Sequence, residues 1–254
     1  MTVRLVTFDI LHTLITPRMP IHVQYAMAFK PYLGDVDPNS IKGSFKIALK
    51  ALQIEKPAYE QGSQSWWTDV IRRTALGVGV NPQVHESAVL DRSLGNIVPN
   101  LMKVFSSKEG YMEFEDALPT LHALHKRQIY TAVISNSDSR SRSVLTDLNL
   151  PNYMIPIVLS EEEGIEKPAK EIFLRTLERV NSIRGERIRP KQCVHVGDEL
   201  DADYYGAVGA GMRALLLRRT GPELKQDEDL AGVKVIRRLD EILHYTEQSA
   251  VSRR

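Results

Sequence analysis

The sequence predicts an α/β fold: a mostly parallel sheet with helices on both faces, and an all-helical domain inserted after the first strand. Three observations predict it. From about Tyr111 onward, short apolar runs alternate with helix-period segments, the pattern of successive βαβ units. From about Thr16 to Met112 the periodicity is helical and no strong strand signal occurs. Asp9, Ser135 and Asp198, far apart in the chain, all fall at predicted carboxyl ends of strands, the edge where ligands of such sheets bind.

Val3-Arg4-Leu5-Val6-Thr7-Phe8 is an apolar run that reads as a buried strand delivering Asp9 into a polar turn. In the insertion, the stretch around Val23 to Phe29 is helix material that stops near Gly34 and Asp37-Pro38. Helices follow over Ile41 to Leu52 and Ser63 to Leu76, the latter ended by Gly77 and Gly79, and then two short ones over Val84 to Leu94 and Ile97 to Phe105. Ala117, Leu118, Leu121 and Leu124 share one helix face ahead of a buried strand, Ile129 to Ile134. Helix Arg142 to Leu148 and strand Ile155 to Leu159 come next, and helix Glu171 to Val180 turns Ile172, Phe173, Leu177 and Val180 inward. The remainder reads as strand Cys193 to Val196, helix Ala202 to Ala210 stopped by Gly211, strands Arg213 to Leu217 and Val233 to Ile236, helix Leu239 to Glu247 and a frayed tail from Ser249.

A chain of 254 residues is long enough for a core domain with a smaller insert. A formal net charge of +1 argues against a nucleic-acid binder that works through a basic surface. The single cysteine, Cys193, cannot form an internal disulfide and reads as a small core residue. No segment approaches the ~20 apolar residues that cross a bilayer, and the sequence opens directly on a strand, so neither membrane contact nor a signal peptide is expected. The expected location is the cytoplasm, with the nucleus also open, and the oligomeric state is not legible.

The chemistry-bearing residues form an ordered set: Asp9, Ser135-Asn136, Lys167-Pro168, and Gly197-Asp198 with Asp203 beyond. Each has an ordinary structural reading, as a strand-end turn, a helix cap or a surface loop; their order and shared edge set them apart. A carboxylate can act as a nucleophile and split one displacement into formation and hydrolysis of an acyl intermediate. A phosphoryl group carries negative charge toward that carboxylate, so a cation must neutralise both. Mg²⁺ held by Asp9, Asp198 and Asp203 would do so, because hard cations prefer carboxylate oxygens. Lys167 adds positive charge, and the Ser135 hydroxyl with nearby backbone N–H groups would hold phosphate oxygens.

Over nearly its whole length the chain resembles the haloacid dehalogenase superfamily. The match comprises Asp9 with Thr13-Leu14, Ser135-Asn136, Gly164 to Lys167-Pro168 with Ile172-Phe173, and Gly197-Asp198 with Asp203 and Gly206-Ala207. Trp66-Trp67 also resembles the rhythmically expressed gene 2-like branch. The resemblance implies a Rossmann-like core over 1–15 and 113–254, with the insertion, 16–112, as a cap domain. It implies Asp9, Ser135 and Lys167 as catalytic residues, and Ser135, Asn136 and Lys167 as the phosphate cradle. Asp9, Asp198, Asp203 and the Leu11 backbone carbonyl would be Mg²⁺ ligands, and Trp66 and Trp67 candidate substrate contacts in the cap.

The chain departs from the family pattern at Leu11, where its phosphatases have an Asp that protonates the leaving group and activates water. The next position is usually Gly and here is His12; Ala169-Lys170 stands where Asp-Pro is common. The leading expectation is therefore a Mg²⁺-dependent phosphatase of a small phosphorylated compound with weakened acid–base catalysis. Two alternatives stand beside it: a catalytically impaired phosphate- or partner-binding protein, and a metal-independent dehalogenase. Family dehalogenases also lack the second Asp, but this chain keeps Gly197-Asp198, the expected Mg²⁺ position. His122 and His125 lack a third metal ligand nearby, Gly206, Gly209 and Gly211 do not form a dinucleotide fingerprint, and Arg218-Arg219 and Arg237-Arg238 read as solvated charges.

Overall fold

The computed structural model describes residues 2–60, 62–78, 87–219 and 229–251, with backbone alone for 87–89 and 247–251. The chain begins β1 (Leu5–Phe8), β2 (Ile15–Pro17), α1 (Ile21–Leu33), α2 (Pro38–Glu55), α3 (Ser63–Gly77), α4 (Ser87–Val104) and β3 (Tyr111–Glu113). It continues α5 (Ala117–Lys126), β4 (Tyr130–Ser135), α6 (Arg140–Asp147), β5 (Ile157–Leu159), α7 (Ser160–Glu163) and α8 (Lys170–Arg184). Then come β6 (Cys193–Gly197), a π-helical turn (Leu200–Tyr205), α9 (Gly206–Gly209), β7 (Arg213–Leu217), β8 (Val235–Ile236) and α10 (Ile242–Val251).

The six-stranded sheet has the order β5-β4-β1-β6-β7-β8, and every pairing in it is parallel. β1 and β6 are buried at every position and β4 at all but its first, as strands covered on both faces must be. Side chains alternate between the faces. Leu5, Ala132, Ile134 and Cys193 point to one side, where Ile172, Phe173, Leu177 and Val180 of α8 cover them, the inward set expected of that helix. α5 also packs on β4 but stands outside that cluster, on the opposite face, with Leu121 and Leu124 buried. Cys193 is a core residue, and burial pushes its thiol up to about 12, so it stays protonated and inert.

By contact density the chain divides into two units. One comprises Met1–Thr16, Glu113–Ser137 and Asn149–Arg254; the other comprises Pro17–Met112 and Asp138–Leu148. The second, helical unit thus takes in a segment that the sequence analysis assigns to the sheet-bearing core. Hydrogen bonds account for it: Trp67 Nε1 donates to Asp138 Oδ2 (2.7 Å), and the Lys108 amide to Asp147 Oδ2 (2.7 Å). The main core of this unit gathers Tyr25, Phe29, Ile41, Ile71, Ile97 and Leu101, and a smaller cluster holds Ala48, Leu52, Trp66 and Val70. Asp37 caps α2 by accepting from the Asn39 and Ser40 amides, with Pro38 at the first helical position. α3 approaches α2 so closely at Gly77 that a Cβ there would lie 2.1 Å from Ser44 Oγ.

Three expectations need correction. The two short helices over Val84 to Leu94 and Ile97 to Phe105 are one helix, α4, running through Gly95 and Pro99. Its continuous buried face of Leu90, Leu94, Ile97, Val98 and Leu101 outweighs the local cost of about 1 kcal/mol for Gly and about 3 for Pro; Gly79 and Val84 to Glu86 lie outside the described residues. The insertion is not wholly strand-free, because β2 and β3 at its two ends pair as a two-stranded sheet. Three-residue strands are too short to show a period of two. The frayed tail is helical backbone as far as Val251, with 252–254 outside the described residues. Among the described residues no helix is long and apolar enough to cross a membrane.

Candidate functional site

Numbered among themselves, the core strands have the order 3-2-1-4-5-6, in which the winding direction reverses between β1 and β6. Asp9 follows β1 and its amide donates to the Val196 carbonyl of β6 (2.9 Å), while Asp198 follows β6 and Ser135 ends β4. The parallel register therefore brings three candidate site residues to the same edge near the reversal.

Lys167 is the hub. Its ammonium, only 2% exposed, donates to Asp9 Oδ1 (2.7 Å), Asp203 Oδ1 (2.5 Å) and the Ile134 carbonyl (2.9 Å), using all three of its hydrogens. Burial alone would lower its pKa, but the charges of Asp203 and Asp9 outweigh burial and hold it above the ordinary lysine value. Asn136 positions the lysine: its amide accepts from the Lys167 N–H (2.7 Å) and donates to the Lys167 carbonyl (2.8 Å). Its side chain is thus engaged with the lysine backbone. Ser135 hydrogen-bonds to Asp9, whose carboxyl is pushed above its usual range by burial, against the pull of Lys167.

Asp203 is more fully occupied than the sequence suggests. Oδ1 takes Lys167 and His195 Nε2 (3.0 Å), and Oδ2 takes the Glu199 amide (2.9 Å). Although burial opposes ionisation, Lys167 and His195 hold Asp203 below the usual carboxylate range. An ionised carboxylate only accepts, so His195 Nε2 must carry its proton. Burial lowers the His195 pKa and keeps the ring neutral, so Nδ1 accepts from the Thr7 hydroxyl (2.8 Å). Thr7 and His195 are register partners on adjacent strands, and Phe173 of α8 meets the imidazole edge-on at 5.1 Å. The run Thr7, His195, Asp203, Lys167, Asp9 is one continuous buried network.

From sequence alone His195 carries no site role. The available signal was a histidine at the centre of an otherwise apolar strand, where a buried imidazole needs hydrogen-bond partners. Gly197 has an equally specific reason to be glycine: a Cβ there would lie 2.1 Å from Asp203 Cγ. The π-helical turn Leu200–Tyr205 brings Asp203 in this close, and Gly211, with φ +76°, ends the following helix as expected. The expectation for Arg218-Arg219 is overturned. Arg218 is buried and its guanidinium donates to the Asp198 carbonyl. Arg219 forms a bidentate pair with Asp116 (2.9 Å each), donates to the Thr13 carbonyl (2.8 Å) and lies 3.6 Å over the Phe114 ring. Both tie down loops that flank the site; Arg237 and Arg238 are exposed, as expected.

Asp9, Asp198 and Asp203 present carboxylate oxygens within 4.8 Å of one another. An all-oxygen donor set of this kind fits a hard divalent cation. In the helical unit, Trp66 packs inward, 2% exposed, and donates to the Lys56 carbonyl (3.0 Å), while Trp67 is half-buried. His125 stacks on Tyr153 at 4.0 Å, and among the described residues no third metal ligand joins it and His122.

The model for haloacid dehalogenase-like hydrolases matches residues 3–211. The haloacid dehalogenase-like hydrolase domain-containing protein 3 of Bos taurus is 31% identical over 225 residues, covering 87% of this chain and 83% of its own. Among solved structures, a HAD phosphatase from Thermococcus onnurineus is similar over 96% of this chain and 97% of its own (TM-score 0.55, 21% identity). The L-2-haloacid dehalogenase of Xanthobacter autotrophicus, with chloropropionic acid covalently bound, is similar over 96% and 98% (TM-score 0.65, 15% identity). With a family match over most of its length and a relative at this identity, the chain belongs to the haloacid dehalogenase-like hydrolases, on the branch that the paired tryptophans indicate.

Proposed function

We propose that this hydrolase is a Mg²⁺-dependent phosphatase of a small phosphorylated compound, working through an aspartyl-phosphate at Asp9 with weakened acid–base catalysis. The observation that carries the proposal is the charge of the site. Three carboxylates converge around one ammonium; even counting Arg218, an excess of negative charge remains. A phosphate anion cannot approach such a site until a cation neutralises it. Asp9, Asp198 and the Leu11 carbonyl would hold Mg²⁺, which when bound supplies charge neutralisation to nucleophile and phosphoryl oxygens alike. Asp203, its oxygens already taken by Lys167, His195 and Glu199, serves chiefly to position Lys167.

In this mechanism the Asp9 carboxylate attacks phosphorus, the bond to the leaving oxygen breaks, and water later cleaves the acyl phosphate. Lys167 shares the charge that spreads over the phosphoryl oxygens, and the Ser135 hydroxyl and the Asn136 main chain hold them. The helical unit is the candidate cap domain, and within it Trp67 is less buried than Trp66. Leu11 can neither protonate the leaving group nor activate water, so turnover is slow and favours leaving groups that need no proton.

Leu11 also favours a second reading, in which the cradle binds phosphate or a partner without turnover. The charge excess speaks against a metal-independent dehalogenase, since a halocarboxylate is itself an anion. A panel of aryl phosphates and phosphorylated metabolites with Mg²⁺, comparing the natural chain with Asp9→Asn, tests the proposal. Mg²⁺-dependent release of phosphate that disappears in Asp9→Asn is expected. Equal activity in the variant removes Asp9 as nucleophile, and halocarboxylate turnover in EDTA moves the assignment to a dehalogenase.

A further inference from the structure

The centre of β6 is an expensive place for a histidine. His195 and its register partner Thr7 are both 0% exposed, so imidazole and hydroxyl alike have left water. Apolar side chains at this pair would build the same strands with nothing polar to satisfy, an exchange that is often neutral or stabilising in a core. Instead every polar atom of the pair is matched: the Thr7 hydroxyl donates to Nδ1 (2.8 Å), and Nε2 donates to Asp203 Oδ1 (3.0 Å). The ring is also held from the side by Phe173, whose plane meets it at 88°. Phe173 is confined in turn, since a Cβ at Gly206 would lie 2.9 Å from its Cε2.

What this arrangement accomplishes is read at Asp203. Beside His195, its carboxylate accepts from Lys167 Nζ at Oδ1 (2.5 Å) and from the Glu199 amide at Oδ2 (2.9 Å). Without the imidazole one donor would remain at each oxygen, and one of those is the lysine itself. The carboxylate would then be free to turn with the ammonium instead of holding it. A lysine ammonium sits on a flexible stem and is placed only as well as its acceptors are. Of the acceptors here, Asp9 is the proposed nucleophile, and its negative charge is consumed as it attacks. Asp203 and the Ile134 carbonyl are the acceptors that persist. His195 supplies Asp203 with a donor on a rigid strand, already oriented by Thr7.

We infer that His195 is a positioning residue: oriented by Thr7, it locks the Asp203 carboxylate and through it fixes Lys167 where phosphoryl charge develops. Its effect on turnover rests on the phosphatase reading, whereas the fixing of Lys167 does not. The imidazole is fully buried and its contacts are Thr7, Phe173 and Asp203, so it acts through other side chains and not on a substrate. All of these residues belong to the sheet-bearing unit.

The test compares His195→Leu, His195→Gln and the double variant Thr7→Val with His195→Leu, each in the full chain. One readout is kcat and KM for p-nitrophenyl phosphate with Mg²⁺. The other is the proton–nitrogen NMR resonance of the Lys167 ammonium, assigned by its absence in Lys167→Met; a buried ammonium with every hydrogen bonded exchanges slowly enough to be seen. His195→Leu should lower kcat by about 10–100-fold, the scale of a misplaced charge, and broaden or erase the resonance. KM should change little, because the loss falls on the transition state. His195→Gln keeps a donor for Asp203 and should hold both readouts near their natural values. The double variant removes the Thr7 hydroxyl that His195→Leu leaves unpaired, so its melting midpoint should return toward that of the natural chain while kcat and the resonance stay depressed. That separation distinguishes positioning from packing, and the double variant carries the test should His195→Leu fail to fold. A natural chain without turnover would strike the phosphatase reading, and the Lys167 resonance would then decide this inference alone. A natural kcat or a natural Lys167 resonance in His195→Leu, or a kcat that recovers with the midpoint in the double variant, would overturn it.

Discussion

Lys167→Met tests whether the buried cluster is the electrostatic unit described above. Methionine keeps the length and apolar stem of the side chain but removes the ammonium shared by Asp9 and Asp203. The lysine is almost fully buried and makes three hydrogen bonds, so solvent cannot substitute for it. Breaking a buried pair by deleting one partner costs about 3–5 kcal/mol, most of it from the charges left behind. At roughly 2–4 °C per kcal/mol for a chain of this size, the melting midpoint should fall by about 6–20 °C in EDTA. The sign follows from the direction of the lysine shift. Its raised pKa means the stabilisation is complete below 10.5, the unperturbed value, and is lost only as pH rises through the higher folded value, so neutral buffer reads all of it. Adding Asp9→Asn should recover part of the loss, since it removes a charge that now lacks a partner. Mg²⁺ should raise the midpoint of Lys167→Met by more than that of the natural chain, because the variant presents a more negative site. A midpoint within about 2 °C of the natural chain, or no recovery in the double variant, would refute the account of the cluster.

Leu11→Asp should raise phosphatase turnover by roughly 10²–10⁴, most for alkyl phosphates and least for p-nitrophenyl phosphate, as measured by phosphate release; a folded, Mg²⁺-binding variant with no gain would make the binding-protein reading the leading one. Gly197→Ala should destabilise by about 1–3 kcal/mol and depress turnover, because the added Cβ displaces Asp203 and with it Lys167; unchanged melting and activity would show that Asp203 is not fixed by this contact. Burial pushes Asp138 up, but the bonds from Arg140 and Trp67 prevail and hold it below its ordinary value of 3.8. Its stabilisation is therefore present above that pH and lost as pH falls below it, and Asp138→Asn should flatten the acid limb of the stability profile, read by urea titration across that range.

The fold was legible because its signals are redundant. Strands buried on both faces appear as apolar runs, unbroken in Ala132-Val133-Ile134 and interrupted only by His195 in Cys193 to Val196, and a candidate site residue at the end of each marks the sheet edge. The network behind that edge was less legible, since it depends on register and on a turn of unusual geometry. Thr7 and His195 meet only because β1 and β6 align without offset. Asp203 reads in sequence as a first-turn helix charge, and the π-helical turn is what swings it under Gly197 onto Lys167. Arg218 and Arg219 are illegible for a related reason: two adjacent arginines after a strand look solvated, and their partners, an Asp198 carbonyl and an Asp116 carboxylate, are brought to them only by tertiary structure. The single helix α4 shows the converse, a local Gly and Pro signal overridden by a continuous buried face.

The turn after Asp9 bears on what Leu11→Asp can supply under the proposed mechanism. His12 has φ +59°, in the left-handed region that costs a side chain roughly 1–2 kcal/mol and that explains why glycine is common there. The conformation is held regardless: the His12 amide donates to the Ile15 carbonyl (2.7 Å), and the Leu14 and Ile15 amides converge on the Ile10 carbonyl (2.8 and 3.0 Å). The backbone around position 11 is therefore fixed by its own hydrogen bonds, with Leu11 as the side chain it presents. Under the proposed mechanism, supplying an acid at position 11 thus takes one substitution and no rebuilding of the turn. Lys167, His195, Asp198 and Asp203 surround Asp9, so under the proposed mechanism the groups that would stabilise charge are present and a proton carrier at position 11 is not. For leaving groups that depart without a proton the two parts separate cleanly. Such substrates should show the smallest difference between this chain and Leu11→Asp.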